Sequence, residues 1–152
     1  MTTLTRLAIL FFIVHGVNFS DSQSNKTIEW QYEVNAVGKD ELILKFTARM
    51  ARGWHLYSQH IKEGGPMPTR FSFMPDESYL LLGQISEKGN AVKFYDDTYE
   101  MEIIWYTGVV SFAQKVRLTP KTRIAKATIE FMTCNDYTCI PGKQDFNIDL
   151  KK

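Results

Sequence analysis

The sequence lacks the long hydrophobic runs, charge blocks and glycine-rich loops that mark several large classes of protein. Its longest apolar run, 7–14, has eight residues, whereas a transmembrane helix needs roughly 20, so no membrane span is predicted. Lysine and arginine number 18 against 17 aspartate and glutamate, and no long block of one sign occurs, which argues against a nucleic-acid partner. A glycine-rich phosphate-binding loop is also missing.

Signatures of hydrolases and of closed metal sites are missing too. No Gly-x-Ser-x-Gly motif occurs, and the three histidines have no recognisable catalytic partners. A zinc site is conceivable as an alternative, although structural zinc favours tighter pairs such as Cys-x-x-Cys. Its four ligands would be Cys134, Cys139, His55 and His60. The methionines could suggest copper, but they are scattered at core-like positions. We therefore predict neither a metal nor any other cofactor.

Helical periodicity is absent, and strand periodicity takes its place. Residues 27–34 and, apart from Ile43, residues Glu41–Met50 alternate apolar and polar side chains, as half-buried strands do. Further strands are predicted at 54–58, 69–74, 101–105, 109–118, 123–133 and 145–150, and 79–82 is predicted to be a strand or a fragment of helix. Turns are predicted at 38–40, 88–90 and 107–108, the last of these making a hairpin. Short, closely spaced strands of this kind predict an all-β, antiparallel β-sandwich.

The amino terminus is predicted to be a secretion signal. Arg6 supplies a positive charge, the apolar run at 7–14 follows it, and polar residues continue from Asn18 onward, which is the order of a signal peptide. An apolar first strand or a short membrane anchor is the alternative. We therefore predict a signal peptide at 1–22 and one exported, monomeric domain at 23–152.

Cys134 and Cys139 are the only cysteines, and they lie between the last two predicted strands. A disulfide across so short a loop is worth only about 2 kcal/mol in the chain-entropy model. A domain of the predicted size can bury an adequate core without it. The pair is therefore better suited to alternate between dithiol and disulfide than to hold the fold together. A purely structural disulfide in an exported binding domain is the main alternative.

Several segments resemble one known family. The run Cys-Asn-Asp-Tyr-Thr-Cys-Ile-Pro at 134–141 resembles the N-terminal periplasmic domain of the DsbD thiol:disulfide interchange proteins. The run Gly-Trp-His-Leu-Tyr-Ser-Gln at 53–59 is similar to a Gly-aromatic-x-Leu/Ile-Tyr segment of that domain, and 65–71 is similar to the stretch after it. Phe94 and Tyr95 resemble the aromatic pair of its cap loop. The resemblance implies an immunoglobulin-like β-sandwich.

The same resemblance implies a redox relay of the protein-disulfide reductase type in the periplasm. Members of the family take electrons from a membrane partner and pass them to thioredoxin-like periplasmic oxidoreductases, which correct disulfides or serve cytochrome c maturation. By the matched positions, Cys139 would form the mixed disulfide with partners and Cys134 would resolve it. Because the sequence ends at Lys152, the membrane electron donor is expected to be a separate polypeptide.

Four aromatic residues receive roles from the resemblance. Phe94 and Tyr95 would cap the sulfurs against stray oxidants until a partner displaces them. Trp54 and Tyr57 would line the same end of the domain as a docking surface, since aromatic residues favour interfaces. Ordinary core packing is the alternative for all four.

The sequence departs from the enterobacterial members of that family at several positions. Four residues rather than five separate the cysteines, and Gly142 stands where many relatives have a second proline. Val92 and Lys93 occupy places that are acidic in the cap loop of those members. Asp136 and Lys143 would act on thiol ionisation in opposite directions, and no helix N-terminus is predicted to favour a thiolate. We therefore expect thiols of modest nucleophilicity that are protected at rest.

Overall fold

The computed structural model describes residues 26–121 and 124–150, which form an antiparallel all-β fold. The signal peptide predicted at 1–22 lies outside these residues. Within the described ranges there is no helix that could cross a membrane. Eight strands follow one another: β1 (Ile28–Ala36), β2 (Glu41–Met50), β3 (His55–Tyr57), β4 (Arg70–Phe73), β5 (Tyr79–Asp96), β6 (Met101–Leu118), β7 (Ile124–Cys134) and β8 (Cys139–Asp149).

The strands pair in the order β1-β2-β6-β3-β7-β4, with β5 added to β6 and β8 added to β7. The sheet curls until its two ends face each other. Phe46 on β2 lies 5.4 Å from Phe71 on β4 and 5.5 Å from Phe146 on β8, between ring centroids. Trp30 on β1 lies 5.4 Å from Phe131 on β7. The predicted immunoglobulin-like antiparallel β-sandwich is confirmed.

The main core follows the period-two pattern that the sequence shows most clearly. On β2 every second side chain points inward, because successive side chains of a strand point to opposite faces. The inward residues are at most 6% exposed: Leu42, Leu44, Phe46, Ala48 and Met50. The predicted inward face of this strand is therefore confirmed.

Two predicted turns are wrong, because the chain continues as strand through both. β5 and β6 each run for 18 residues and pair along most of their length. Opposite the step from Gly89 to Asn90, β6 contains two extra residues, Gly108 and Val109. Gly108 has φ of 68°, a conformation that glycine adopts readily in a β-bulge. The predicted hairpin at 107–108 is therefore a bulge within one long strand.

Gly89, in the other predicted turn, is required by close packing. A Cβ atom there would lie 2.9 Å from the Tyr106 ring and 3.0 Å from Val110. Glycine inside a strand often marks such a close approach rather than a reversal of the chain. The last strand likewise differs from the prediction, since it begins at Cys139 and not at 145.

Gly142 on β8 leaves room for an aromatic ring. It lies directly opposite Phe131 on β7, and a Cβ atom at Gly142 would be 2.4 Å from two carbons of that ring. We expect Gly142→Ala to lower the free energy of unfolding by about 1–3 kcal/mol, the usual cost of overpacking. Urea unfolding followed by circular dichroism would measure it.

The matched control is Gly38→Ala, at which a Cβ atom would have its nearest neighbour at 3.5 Å, an ordinary contact. This variant should stay within about 0.5 kcal/mol of the parent protein. Equal stabilities of the two variants would show that the Phe131 ring can move aside without cost.

Candidate functional site

Cys134 and Cys139 form a disulfide at the end of the β7–β8 hairpin. The two residues are directly opposite each other in the ladder, with Cα atoms 4.0 Å apart and an S–S distance of 1.99 Å. The predicted position of the cysteines, at the hairpin that joins the last two strands, is confirmed. The bond therefore links residues that strand pairing already brings together.

The turn between the cysteines has its own hydrogen bonds. The Oδ1 atom of Asn135 accepts hydrogen bonds from the backbone N–H groups of Tyr137 and Thr138, both at 2.9 Å. The Asn135 N–H donates to the Thr138 carbonyl at 3.0 Å. Asparagine commonly closes turns in this way. Because these bonds and the ladder do not involve sulfur, opening the disulfide need not open the hairpin.

The two sulfur-bearing residues differ sharply in exposure. Cys134 is only 2% exposed, whereas Cys139 is exposed to solvent. The reason is their place in the sheet: β7 lies between β8 on one side and β3 and β4 on the other, while β8 pairs with β7 alone among the described strands. Solvent therefore reaches the residue Cys139 and is almost excluded from Cys134.

A second hydrophobic cluster, separate from the main core, surrounds Cys134, and we refer to it as the cysteine cluster. Its buried members are Tyr57, Ile61, Ile103 and Cys134, and its half-buried members are Phe94, Met101, Ile104, Trp105 and Met132. Trp105 connects the aromatic rings at this end of the sandwich. Its ring centroid lies 4.5 Å from that of Phe94 and 6.2 Å from that of Tyr57.

His55 packs onto the same group of rings. It is directly opposite Cys134 in the pairing of β3 with β7, and its imidazole stacks on Trp105 with centroids 4.0 Å apart. Burial lowers the pKa of His55 below its usual 6.5, and the negative charge of Asp136 opposes this shift. The folded protein therefore favours the neutral form of this imidazole. The contribution of His55 to the free energy of unfolding is fully present above about pH 6.5 and is lost as pH falls through the lowered pKa.

The end of β3 is anchored by a buried carboxylate on β5. The side chain of Glu87 is 6% exposed and accepts hydrogen bonds from the Ser58 hydroxyl, from the Gln59 N–H at 3.1 Å and from the Tyr106 hydroxyl at 2.8 Å. These hydrogen bonds fix the strand that carries both His55 and Tyr57.

A family model described as "Thiol:disulfide interchange protein DsbD, N-terminal" matches residues 22–150. The chain belongs to this family of DsbD N-terminal domains. Membership in a thiol:disulfide interchange family, together with a cross-strand cysteine pair at bonding distance, identifies a thiol–disulfide exchange domain. A comparison with curated proteins found no match.

Solved structures of DsbD-type N-terminal domains share the fold. The N-terminal periplasmic domain of ScsB from Proteus mirabilis has a TM-score of 0.61 and 15% identity, covering 83% of this chain and 47% of that one. This chain thus spans about half the length of that structure. The reduced DsbD N-terminal domain of Neisseria meningitidis has a TM-score of 0.51 and 20% identity, covering 79% and 84%.

A third similar structure is a complex between the DsbD N-terminal and the PilB N-terminal domains from Neisseria meningitidis. Its TM-score is 0.50 at 19% identity, covering 78% of this chain and 80% of that one. At these identities the likeness shows the fold alone.

The fold brings some of the predicted site residues together and separates others. Tyr57 and Phe94 lie in the cysteine cluster. Trp54, just before β3, packs instead against the main core, and Tyr95 is 64% exposed. Adjacent strand residues point to opposite faces, so the Phe94 and Tyr95 side chains lie on opposite faces of β5. The capping and docking roles of these residues stay predictions.

Sequence reasoning gave no role at the sulfurs to His55 except in the zinc alternative, and none to Trp105. In the described part of the chain no three metal-ligating side chains are grouped to hold an ion, and His60 lies beside Glu87 at 3.7 Å between Nε2 and Oε1. The strand period of two places His55 and Tyr57 on the same face of β3, and this signal could have linked His55 to the site. No local signal marks Trp105, because it reaches the site through pairing between distant strands.

Proposed function

We propose that this domain relays reducing equivalents to thioredoxin-like oxidoreductases of the periplasm through the Cys134–Cys139 pair. The observation that carries the proposal is the unequal exposure of the two cysteines, because exchange needs one accessible sulfur and one resolving thiol. Cys139 is exposed and Cys134 is 2% exposed. This matches the roles that the family resemblance assigns to them.

The relay step balances as two displacements at sulfur. In the reduced domain the Cys139 thiolate attacks one sulfur of the partner's disulfide, so that a mixed disulfide forms and one partner sulfur leaves as a thiolate. Cys134 then attacks the Sγ atom of Cys139, the Cys134–Cys139 bond forms, and the second partner sulfur leaves. The partner gains two electrons and this domain loses two.

The aromatic residues at this end of the domain would have two roles, some shielding Cys134 from solvent and others contacting the partner protein. Phe94 packs in the cysteine cluster and would shield Cys134 at rest together with Tyr57. Tyr95 is 64% exposed and Tyr137, in the turn between the cysteines, is 94% exposed. Exposed aromatic side chains suit a docking surface. Trp54, packed against the main core, would support the strand that carries Tyr57.

Membership in the family supports a periplasmic location and a membrane electron donor. The similar ScsB domain is periplasmic, which supports export of this chain to the same compartment. Reducing equivalents would come from a membrane partner, and the acceptors would include oxidoreductases that correct disulfides or serve cytochrome c maturation. The domain would act as a monomer, and it would exchange electrons with each partner through Cys139.

The test is to trap the mixed disulfide. We expect the Cys134→Ala variant to accumulate a covalent complex through Cys139 with a thioredoxin-like domain that keeps only its reactive cysteine, activated as a mixed disulfide with thionitrobenzoate. Thionitrobenzoate leaves when the complex forms, and neither protein then retains a thiol that could resolve it. Non-reducing electrophoresis and mass spectrometry of the linked peptide would identify it. The matched control, Cys139→Ala, should accumulate little complex because Cys134 is buried.

Two outcomes would contradict the relay. One is the absence of any complex from Cys134→Ala, and the other is equal trapping by both variants. A purely structural bond also predicts a reduction potential below about −300 mV, so resistance of the parent protein to glutathione would favour that alternative.

A further inference from the structure

The imidazole of His55 is held beside the buried cysteine by the sheet and by two aromatic rings. Residues directly opposite each other on antiparallel strands point to the same face, with Cβ atoms about 4.5–5.5 Å apart. His55 and Cys134 are such a pair. Stacking on Trp105 at 4.0 Å and edge-to-face packing on Tyr57 at 5.3 Å fix the plane of the ring.

The Nε2 atom of this imidazole is buried and has no hydrogen-bond partner within the described residues. Leaving a buried polar atom unpaired costs free energy, so such an atom calls for an explanation. The structure contains the oxidised pair, in which the sulfur of Cys134 carries no proton. Reduction would place an S–H donor on the same face as Nε2, which can accept its hydrogen bond.

The surroundings keep the imidazole in its neutral form near pH 7. Burial lowers the pKa of His55 and the carboxylate of Asp136, in the turn between β7 and β8, works against this. From β6 the opposite residue is the uncharged Thr107, and from β3 itself the neighbour is Tyr57, whose pKa is raised first by burial. A neutral imidazole can accept a proton.

Building on the relay proposed above, we propose that Nε2 of His55 accepts the proton of the Cys134 thiol when Cys134 resolves the mixed disulfide. The S–H bond of Cys134 breaks and its electron pair forms the bond to Sγ of Cys139. The bond from Cys139 to the partner breaks, and the partner sulfur leaves as a thiolate with that electron pair. His55 holds the proton until the thiolate or water takes it.

Cys134 needs this help and Cys139 does not. A thiol in apolar surroundings ionises unfavourably, and Cys134 is 2% exposed, so water cannot readily take its proton. Cys139 is exposed and can lose its proton to solvent. The two sulfurs should therefore respond differently to the loss of His55.

A small disulfide reagent separates the two steps. Reduced protein mixed with one equivalent of dithiodipyridine releases thiopyridone in two phases by stopped-flow absorbance. The first phase depends on reagent concentration and reports attack by Cys139, and the second is independent of it and reports resolution by Cys134. The variants are His55→Gln and His55→Phe, of which the second keeps an aromatic ring on Trp105. His60→Gln is the matched control, since the His60 side chain is 61% exposed.

We expect both His55 variants to slow the second phase about 100-fold at pH 7, the lower range for proton transfer by a positioned side chain. Their second phase should rise about tenfold per pH unit as the thiol ionises unaided. Their first phase and both phases of His60→Gln should stay within about twofold of the parent protein. An unchanged second phase in His55→Phe, or equal slowing of both phases, would overturn the proposal.

The parent protein provides a test that needs no variant. Its second phase should fall as pH drops from 6.5 through the lowered pKa of His55 and be level above it. A steady tenfold rise per pH unit between about pH 6 and 8 would contradict proton transfer to His55. Failure of the relay would give a different result. The Cys134→Ala variant would then form no covalent complex with a thioredoxin-like domain, while the parent protein would still release thiopyridone in two phases.

Discussion

Replacing Phe46 by alanine is expected to lower the free energy of unfolding by about 3–5 kcal/mol, the range for deleting a fully buried aromatic ring. The ring is 0% exposed and contacts three aromatic rings of the opposite layer. Those rings belong to Phe71, Phe73 and Phe146, at centroid distances of 5.4, 6.2 and 5.5 Å. Urea unfolding monitored by circular dichroism would measure the loss.

The control for this variant is Tyr137→Ala. Tyr137 is 94% exposed, and its backbone N–H, which binds Asn135, is retained in alanine. Its stability should stay within about 0.5 kcal/mol of the parent. If Phe46→Ala cost no more than Tyr137→Ala, the two layers of the sandwich would not depend on this ring.

Replacing Trp105 by alanine is expected to expose the buried cysteine. Trp105 contacts His55, Phe94 and Tyr57, so its loss removes the ring that connects the cysteine cluster. Taking about 3 kcal/mol, the low end for Trp→Ala, local opening around Cys134 becomes roughly 100-fold more frequent. Mass spectrometry of the reduced protein after timed treatment with iodoacetamide would give the alkylation rate of each cysteine.

Val109→Ala is the matched control, because Val109 lies on the same strand and is 41% exposed. It should leave the alkylation rate of Cys134 unchanged, and neither variant should alter the exposed Cys139 by more than about twofold. A Cys134 rate in Trp105→Ala equal to that of Val109→Ala would mean that other members of the cluster protect the thiol.

Both proposals depend on one feature, the placement of two bonded sulfurs at different depths. In the proposed relay the exposed Cys139 forms the mixed disulfide, and Cys134 stays buried in the cysteine cluster until it resolves that bond. The hairpin is held by its ladder and by Asn135, so the bond can open while the surrounding strands stay paired. His55 then supplies the proton acceptor that a buried thiol lacks.

Local patterns allowed much of the fold to be predicted. Phe46, Ala48 and Met50 alternate with the polar residues Lys45, Thr47 and Arg49. This period holds wherever one face of a strand is buried. The position of the cysteines at a hairpin also follows from local signals, since strand patterns flank them. The turns predicted at Gly89 and Gly108 are wrong, because glycine occurs in both turns and bulges and the pairing of β5 with β6 decides between them.

The sequence by itself determined an all-β domain with its cysteine pair at a hairpin, because strand period and the spacing of turn signals are local properties. Only the tertiary structure decided that Cys134 is buried and Cys139 is exposed, that His55 lies opposite Cys134, and that Trp105 connects the site. These facts depend on how β3, β6 and β7 pair. Such pairing joins residues far apart in the chain, and its register is set by burial of the whole sandwich.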